Sequence, residues 1–549
     1  MPTPLIAIGL NSADPELIEQ WMRAGRLKNL RKLSELGIYQ RLRNTADYTG
    51  QCRPFFNTEA LWTVFQTGVR PDKSGYWGTV EYDPVAYSAA SNPFQGGYDY
   101  EEYKPFYALG QNYRVITFDV PVARVCPEVS GLQVVGWGGH FPFVVPGSSP
   151  ANLLPEINQT FGTNSILFKD CGTFWDQKYL QWLETESCLS IRRRTDICLD
   201  LMQRSRWDLL LAVITETHGA SHDLWFLSQP DHPLRPALAK DPMDHDPLQK
   251  VYEEADAAIG KILAAAPEEV NVICFSVHGM QHNETDLTNF VFLPELLYRW
   301  AFPGKACFPA GRIGTPPEPQ VTRARKNPWM AEIWRRKHES SLLKRLLLPH
   351  LPSRLIWPHA NDGLRYPYFL DCLGAEMGWM PSQWYSKSWP RMPAFALPSY
   401  DDGHIRINLQ GREAQGMVAA DDYAKVCSQV TRFLLSVRNG RNGKPLVREV
   451  VRTRADAADS DSRLPAADLI VRWDAGTADV IDSPDAGRIG PFPYYRTGGH
   501  RSEGFMLANG PEIRAKQPTQ GGEAVDLAPT ILKLLGAPMP GHFDGHSLL

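Results

Sequence analysis

The sequence lacks the features of membrane proteins and of disulfide-stabilised proteins. Its longest apolar runs, residues 209–214 and 270–277, are far shorter than the roughly 20 residues that cross a bilayer. Its nine cysteines are scattered and form no Cys-x-x-Cys pair, which argues against a disulfide framework or a cysteine zinc cage. No basic segment precedes the short apolar run at the N-terminus, so no signal peptide is expected. Together these absences predict a cytoplasmic protein with reduced thiols.

An excess of either charge is also absent. The 549 residues include 57 basic and 61 acidic side chains, which gives a net charge of −4. Such a balance provides no global field that would hold nucleic acid or an anionic membrane. Hydrophobic residues make up 43% of the chain and charged residues 21%, which is typical of a globular protein and excludes a disordered chain. We therefore expect a globular protein without a nucleic-acid partner, and no motif predicts an oligomeric state.

Apolar, β-rich runs alternate along the chain with segments of helical periodicity. The strand-like runs are residues 5–10, 114–120, 132–137, 208–214 and 270–277. The helical patterns occupy residues 16–37, 150–159, 191–205 and 247–265. Long apolar strands indicate a sheet that is covered on both faces. The alternation therefore predicts an α/β fold, with a mainly parallel sheet between two layers of helices.

The composition changes after about residue 296. Residues 296–400 are rich in proline, tryptophan and arginine, and they lack the strand–helix alternation. We therefore predict a first part of the core at residues 1–295, an inserted cap subdomain at 296–400 and a second part of the core at 401–549.

Two features of the insertion have two interpretations each. Residues 321–348 are basic and amphipathic, which suits either a cap helix with a solvated face or a surface for an anionic substrate or acidic lipid headgroups. An aromatic cluster suits either the cap's own core or the wall of a pocket. The cluster consists of Trp357, Trp379, Trp384, Tyr385 and Trp389.

Residues that directly follow the predicted strands are the first candidates for a ligand site, because ligands collect beyond the carboxyl ends of parallel strands. These residues are Asn11, the stretch 215–222 and His278. Within the stretch, His218 and His222 have the i,i+4 spacing that puts both imidazoles on one face of a helix, where they can share a metal.

Two other histidine pairs have the same spacing, so spacing alone does not predict a metal site. They are His278 with His282 and His542 with His546. Because no predicted strand ends at His542 and His546, a purely structural role is expected for that pair.

Thr58 lies near the start of a predicted helix at residues 58–68, which Gly68 ends. A hydroxyl at this position faces free backbone N–H groups and the positive end of the helix dipole, which suits an anionic ligand or a nucleophile. The alternative is a simple helix cap. A glycine-rich stretch at residues 497–513 predicts tight backbone around His500, for which an exposed turn is the alternative.

Taken in order, these segments resemble the alkaline phosphatase superfamily, and in particular its type I phosphodiesterase/nucleotide pyrophosphatase branch. The matching stretches are IGLNSADPELIEQW, TEALWTVFQTGVRPDKSGYWG, ETHGASHDLW, FSVHGM, GGHRSEGFMLANGP and VDLAPTILKLLGAPMP. They extend from the first predicted strand to the last helix. The resemblance implies a three-layer α/β/α sandwich with an inserted cap subdomain.

The resemblance also implies a metal site formed by His218, His222 and His500. Three neutral imidazoles leave an open fourth position, as a catalytic zinc site needs. Thr58 matches the family's nucleophile, and His278 is a candidate general base.

The second metal site that the family implies is degraded in this sequence. Family members supply aspartates at positions 11 and 277, where this chain has Asn11 and Val277. Two anionic ligands are thus absent, and valine cannot coordinate a metal. We expect one firmly bound Zn²⁺, with Asn11, Thr58 and His278 as a vestige of the second site.

The expected activity is metal-dependent hydrolysis or transfer at a phosphodiester, pyrophosphate or similar anionic ester of a small metabolite. With a single metal, the nucleophile is either Thr58 or a metal-bound hydroxide, since zinc lowers the pKa of its water to about 7. Two alternatives stay open. One is a non-phosphoryl reaction of a biosynthetic pathway at a mononuclear metal, and the other is a catalytically silent protein that binds a ligand or partner.

Overall fold

A computed structural model describes most of the chain. It covers residues 3–92, 94–138, 143–167, 177–238, 243–321, 329–336, 377, 379–474, 476–513 and 521–549. Trp357 and most of the basic stretch at 321–348 lie outside these ranges.

The strands are short and distributed over the whole chain. They are β1 (Leu5–Leu10), β2 (Ile38–Arg43), β3 (Thr45–Asp47), β4 (Cys52–Pro54), β5 (Glu81–Asp83), β6 (Ser88–Ala90), β7 (Gly110–Phe118), β8 (Val129–Val135), β9 (Gly147–Ser149), β10 (Leu209–Ile214), β11 (Asn271–Ser276), β12 (Gly279–His282), β13 (Ala394–Leu397), β14 (Gly403–Ile407), β15 (Arg438–Asn439), β16 (Val447–Arg452), β17 (Leu469–Trp473), β18 (Ile481–Ser483), β19 (Gly487–Ile489), β20 (Gly498–Arg501) and β21 (Glu503–Asn509).

The helices vary from one turn to 28 residues. They are α1 (Pro15–Arg23), α2 (Lys28–Leu36), α3 (Thr58–Thr67), α4 (Pro71–Ser74), α5 (Leu153–Phe161), α6 (Gln177–Arg204), α7 (Glu216–Ser228), α8 (Arg235–Leu238), α9 (Pro247–Ala264), α10 (Leu293–Ala301), α11 (Trp329–Arg336), α12 (Pro381–Trp384), α13 (Tyr423–Leu435) and α14 (Leu527–Leu535). None of the helices in the described residues is long and apolar enough to cross a bilayer.

Eight strands form the central sheet, in the order β2-β21-β11-β1-β10-β7-β8-β9. The inner strands β11, β1, β10, β7 and β8 run parallel to one another. Antiparallel pairing adds β21 at one side and β9 at the other. The strands expected from the apolar runs are therefore present, and the predicted mainly parallel sheet is confirmed.

Apolar side chains of the inner strands alternate between two cores, one on each face of the sheet. In β1, Ile6 and Ile8 contribute to the core beneath α1, α2, α6, α7 and α9. Leu5 and Ala7 of the same strand contribute to the core beneath α3 and α14. Helices thus cover both faces, and the predicted α/β/α sandwich is confirmed.

The first helical segment is divided into two helices, although the sequence pattern predicted one helix over residues 16–37. Asp14 caps α1 by accepting hydrogen bonds from the backbone N–H groups of Glu16 and Leu17. The chain then turns at Gly25, which has a φ of +71°, before α2 begins. A left-handed residue cannot continue a right-handed helix, so the single-helix prediction was wrong.

The strands of two smaller sheets lie between β11 and β21 in the sequence. One has the order β13-β14-β17-β16, and another has the order β15-β18-β19. The antiparallel pairing of β13 with β14 spans the predicted boundary at residue 400. Trp384, Tyr385 and Trp389 are buried in the same apolar core as β13. The division into core and insertion stays a prediction.

Candidate active site

The ends of three parallel strands place polar side chains at one edge of the sheet. Asn11 directly follows β1, and α7, which carries His218 and His222, begins two residues after β10. His278 follows β11. These strands are neighbours in the sheet, so their carboxyl ends lie side by side, as the strand-end argument predicted.

Thr58 occupies the first position of α3 but does not cap it. The cap is Asn57, whose side chain accepts a hydrogen bond from the backbone N–H of Ala60 at 3.0 Å. Gly68, with a φ of +66°, ends the helix. Because Asn57 provides the side-chain cap of α3, the hydroxyl of Thr58 is available for another contact. Its Oγ1 lies 3.0 Å from Nδ1 of His500.

His500 reaches the site because β20 pairs with β12 in antiparallel register. The pairing sets His500 opposite Met280, two residues beyond His278. At Gly498 the same strand approaches α7 so closely that a Cβ atom there would lie 2.3 Å from the carbonyl oxygen of Ser221. The carbonyl of Gly498 accepts a hydrogen bond from Nδ1 of His222 at 2.8 Å. The glycine-rich stretch therefore produces the tight backbone that its composition predicted.

The three histidines form one compact cluster. Nε2 of His218 lies 2.9 Å from Nε2 of His222 and 3.0 Å from Nε2 of His500. Within the described ranges this is the one group of three metal-ligating side chains whose ligand atoms all lie within 4.8 Å of each other. Since Nδ1 of His222 donates to a carbonyl, its Nε2 carries the lone pair that a metal requires. The donor set therefore fits a zinc ion with an open fourth position.

An arginine that the sequence argument did not identify touches this cluster. Nη1 of Arg496 lies 2.9 Å from Nε2 of His222, and the guanidinium makes two further hydrogen bonds to the carboxylate of Asp286. Burial and, secondarily, the charge of Arg496 lower the pKa of His222 well below its usual value. His222 is therefore neutral near pH 7, as a metal ligand must be.

The residues of the expected second site have other partners. Oδ1 of Asn11 accepts a hydrogen bond from Nε1 of Trp62 at 2.9 Å. Val277 is fully buried among apolar side chains. Nε2 of His278 lies 3.5 Å from Oγ of Ser12, and burial lowers the pKa of His278 to about 4.

Two carboxylates close to the site are paired with arginines. Asp14 lies 2.7 Å from Nη2 of Arg501. Glu216 is fully buried and accepts hydrogen bonds from Arg194. Arg194 also pairs with Asp119 at 2.8 Å, which completes a buried network of three charges.

A small cleft with a volume of about 40 Å³ opens beside Thr58 and His218. Asp119 belongs to its wall and directly follows β7, so the strand-end rule could have identified this residue. The lining residues are Asn11, Thr58, Glu59, Trp62, Asp119, Val120, Pro121, Val122, Gly136, Gly138, Phe143, Val144, Thr215 and His218.

Not every predicted site residue joins the cluster. The ring of His278 lies 4.8 Å from the ring of His500, and no hydrogen bond joins it to Thr58 in the described part of the chain. The ring of His542 packs against Tyr103, and His546 is largely exposed beside Asp526.

Comparisons with known proteins identify the family of the chain. A sequence model of the type I phosphodiesterase/nucleotide pyrophosphatase family matches residues 5–301, more than half of the chain. No curated protein sequence matches significantly.

Several solved structures align over nearly the whole chain at low sequence identity. Phosphonoacetate hydrolase from Sinorhizobium meliloti, in complex with phosphonoformate, is 11% identical, with 98% of this chain and 96% of that chain covered and a TM-score of 0.43. Murine ectonucleotide pyrophosphatase/phosphodiesterase 5, in complex with AMP, is 12% identical, with the same coverages and a TM-score of 0.47. The alkaline phosphatase PafA is 11% identical, with 100% and 99% covered and a TM-score of 0.47.

The predicted membership and enzyme class are thus confirmed by the family match. The chain belongs to the type I phosphodiesterase/nucleotide pyrophosphatase family, a family of phosphoester hydrolases.

Proposed function

We propose that the chain is a zinc-dependent hydrolase that cleaves a phosphodiester, pyrophosphate or similar anionic ester of a small metabolite, with transfer to another acceptor as a variant of the same chemistry. The observation that carries the proposal is the 3.0 Å contact between Oγ1 of Thr58 and Nδ1 of His500, whose Nε2 lies 3.0 Å from Nε2 of His218. A hydroxyl placed directly against a metal-ligating cluster is the arrangement that ester cleavage by a side-chain nucleophile requires.

Thr58 has the local environment of a nucleophile. It begins α3, a helix of ten residues, whose free N–H groups and dipole favour a phosphoryl group near its first turn. In the proposed reaction, Oγ of Thr58 attacks phosphorus and the ester oxygen leaves with a proton. Water then releases the phosphoryl group from Thr58.

His218, His222 and His500 would hold the zinc ion. When bound there, zinc supplies Lewis-acid polarisation of an ester oxygen. The hydrogen bond from His222 to the carbonyl of Gly498 fixes the orientation of that ring, which supports its role as a ligand.

His278 is the proposed base or proton carrier for Thr58. Because burial lowers its pKa to about 4, the ring is neutral at physiological pH and can accept a proton. The ring of His278 packs at 4.8 Å from the ring of His500, which itself contacts Oγ1 of Thr58.

A single zinc ion is part of the proposal. The buried, apolar Val277 and the bond from Trp62 to Asn11 support the loss of a second site. The same loss favours a second candidate function, a non-phosphoryl reaction or ligand binding at a mononuclear metal.

The free cysteines among the described residues support a reducing compartment such as the cytoplasm.

The proposed function is tested with bis(4-nitrophenyl) phosphate and, in parallel, 4-nitrophenyl acetate and 4-nitrophenyl sulfate. The zinc-loaded chain is expected to hydrolyse the phosphodiester at least tenfold faster than the other esters. Removal of zinc should abolish the reaction, and its return should restore it. Zinc-loaded protein that turns over no phosphodiester or pyrophosphate would contradict the proposal and favour the second candidate.

A further inference from the structure

A second cleft adjoins the candidate active site at the first turn of α3. Asn57, the cap of α3, lines this second cleft, whereas the next two residues, Thr58 and Glu59, line the catalytic cleft. The volume of the second cleft is about 440 Å³. It is large enough for part of a small metabolite, and it lies beside the proposed nucleophile.

A carboxylate with one unsatisfied oxygen belongs to the lining of this second cleft. Asp401 is only 4% exposed, and its Oδ1 has no hydrogen-bond partner in the described part of the chain. Nε2 of His404 lies 3.7 Å from Oδ1, beyond hydrogen-bond distance. Burying a carboxylate oxygen without a partner is costly, so an unsatisfied one at the wall of a cleft points to a ligand.

The charges around Asp401 do not neutralise it. Burial lowers the pKa of His404 to about 4, so this imidazole carries no charge at physiological pH. Asp402 is also buried, and the arginine near it, Arg472 at 3.5 Å, is shared with Glu449 at 3.2 Å. Burial, followed by the negative charge of Asp402, raises the pKa of Asp401 well above its usual value. No positive charge pairs with Asp401 directly, and a cation bound in the second cleft would favour its ionised form.

Aromatic rings complete the walls of the second cleft. Tyr76, Trp77, Tyr82 and Tyr400 all line it and are all partly exposed. The face of an aromatic ring attracts organic cations through its quadrupole. A metal ion is disfavoured, because Asp401 and His404 are not part of a group of three close metal-ligating side chains in the described ranges.

We propose that the second cleft binds the protonated amine of a substrate, with Asp401 as its counter-ion and the aromatic rings as its walls. An N–H donor fits because Oδ1 of Asp401 lacks one. The inference rests on the proposed function in one respect: the amine and the ester that reacts at Thr58 belong to the same substrate molecule. It defines the substrate class as an aminoalkyl phosphoester.

Binding is tested without turnover, by ligand-observed NMR on the zinc-loaded full chain. The probes are ethanolamine and its uncharged isostere 1-propanol. Ethanolamine is expected to bind at least tenfold more tightly than 1-propanol. Asp401→Asn, which keeps the shape of the side chain, should remove most of this difference, whereas Asp421→Asn, at an exposed position, should preserve it. Equal binding of the two probes to the unmodified protein would overturn the inference.

Turnover is tested with two matched diesters, 2-aminoethyl 4-nitrophenyl phosphate and propyl 4-nitrophenyl phosphate. The ratio of their kcat/KM values is expected to exceed about tenfold and to fall towards one in Asp401→Asn. Preferential ethanolamine binding without hydrolysis of either ester would support the amine site and contradict the proposed function. Hydrolysis of both esters at equal rates, without ethanolamine binding, would support the proposed function and overturn the amine site.

Discussion

The guanidinium of Arg496 lies 2.9 Å from Nε2 of His222 and is held there by two hydrogen bonds to Asp286. Because arginine only donates, it occupies the lone pair that His222 would offer to zinc. The double change Arg496→Gln with Asp286→Asn removes this competitor and its positive charge while keeping the pair neutral. We expect the Kd for zinc to fall by about tenfold, measured by competition with a chromophoric chelator.

A second buried pair provides the control for this experiment. Arg488 makes the same bidentate contact with the carboxylate of Asp482, away from the histidine cluster. Arg488→Gln with Asp482→Asn should leave the zinc affinity unchanged. Weaker zinc binding in the Arg496 double variant would show that the guanidinium helps to hold the metal site together.

Thr58 is expected to be essential for turnover but not for zinc binding. Thr58→Ala should lower kcat by at least about 100-fold with unchanged zinc content, and Thr58→Ser should restore much of the rate. Thr63→Ala is the matched control, because Thr63 lies on the same helix and donates to the carbonyl of Glu59. Full activity in Thr58→Ala would mean that water, and not Thr58, attacks the ester.

The strand ends could be predicted from the sequence because they follow from local patterns. The apolar run at residues 5–10 identified β1, and the residues that follow such runs include Asn11, His218 and His278. Helix caps are equally local, since Asp14 caps α1 through the N–H groups of residues only two and three positions further on. These features were predictable because each depends on a few neighbouring residues.

The contacts between distant segments could not be predicted in this way. Arg496 and Asp286 are separated by 210 positions, and no local pattern relates them. The network of Arg194, Asp119 and Glu216 likewise joins three elements of the fold. Only the resemblance to a family connected His500 with His218, because the register of β20 against β12 brings it to the site.

The second metal site is expected to return when its aspartates are restored. Asn11→Asp with Val277→Asp should raise the zinc content from one to two ions per chain and increase phosphodiester hydrolysis. Without added zinc, the double variant should unfold at lower temperature, since it places a carboxylate in the fully buried site of Val277. Zinc content by mass spectrometry and thermal unfolding with and without zinc measure both effects.

A buried valine elsewhere on the sheet provides the control. Val213 is fully buried in the same apolar core as Val277. Val213→Asp should lose stability that zinc does not restore. A zinc content that stays at one in the Asn11 and Val277 double variant would contradict the account of a degraded second site.

Arg194 is expected to stabilise the wall of the catalytic cleft. Its guanidinium is fully buried between Asp119 and Glu216, so Arg194→Met leaves two carboxylates without a counter-ion. The expected loss is about 3–5 kcal/mol in the free energy of unfolding, measured in urea. The more exposed neighbour Arg193, which donates to the carbonyl of Thr163, is the control, and Arg193→Met should have little effect. A loss below about 1 kcal/mol in Arg194→Met would exclude a structural role for the network.

The most direct test of the account is the zinc content of His218→Ala, His222→Ala and His500→Ala beside that of His546→Ala. His546 belongs to a pair with the same spacing as His218 and His222, but it lies exposed near the C-terminus. Elemental analysis should give one zinc ion per chain in the unmodified protein and in His546→Ala, and close to none in the other three. Two tightly bound ions in the unmodified protein, or zinc retained after the loss of His500, would contradict the single three-histidine site.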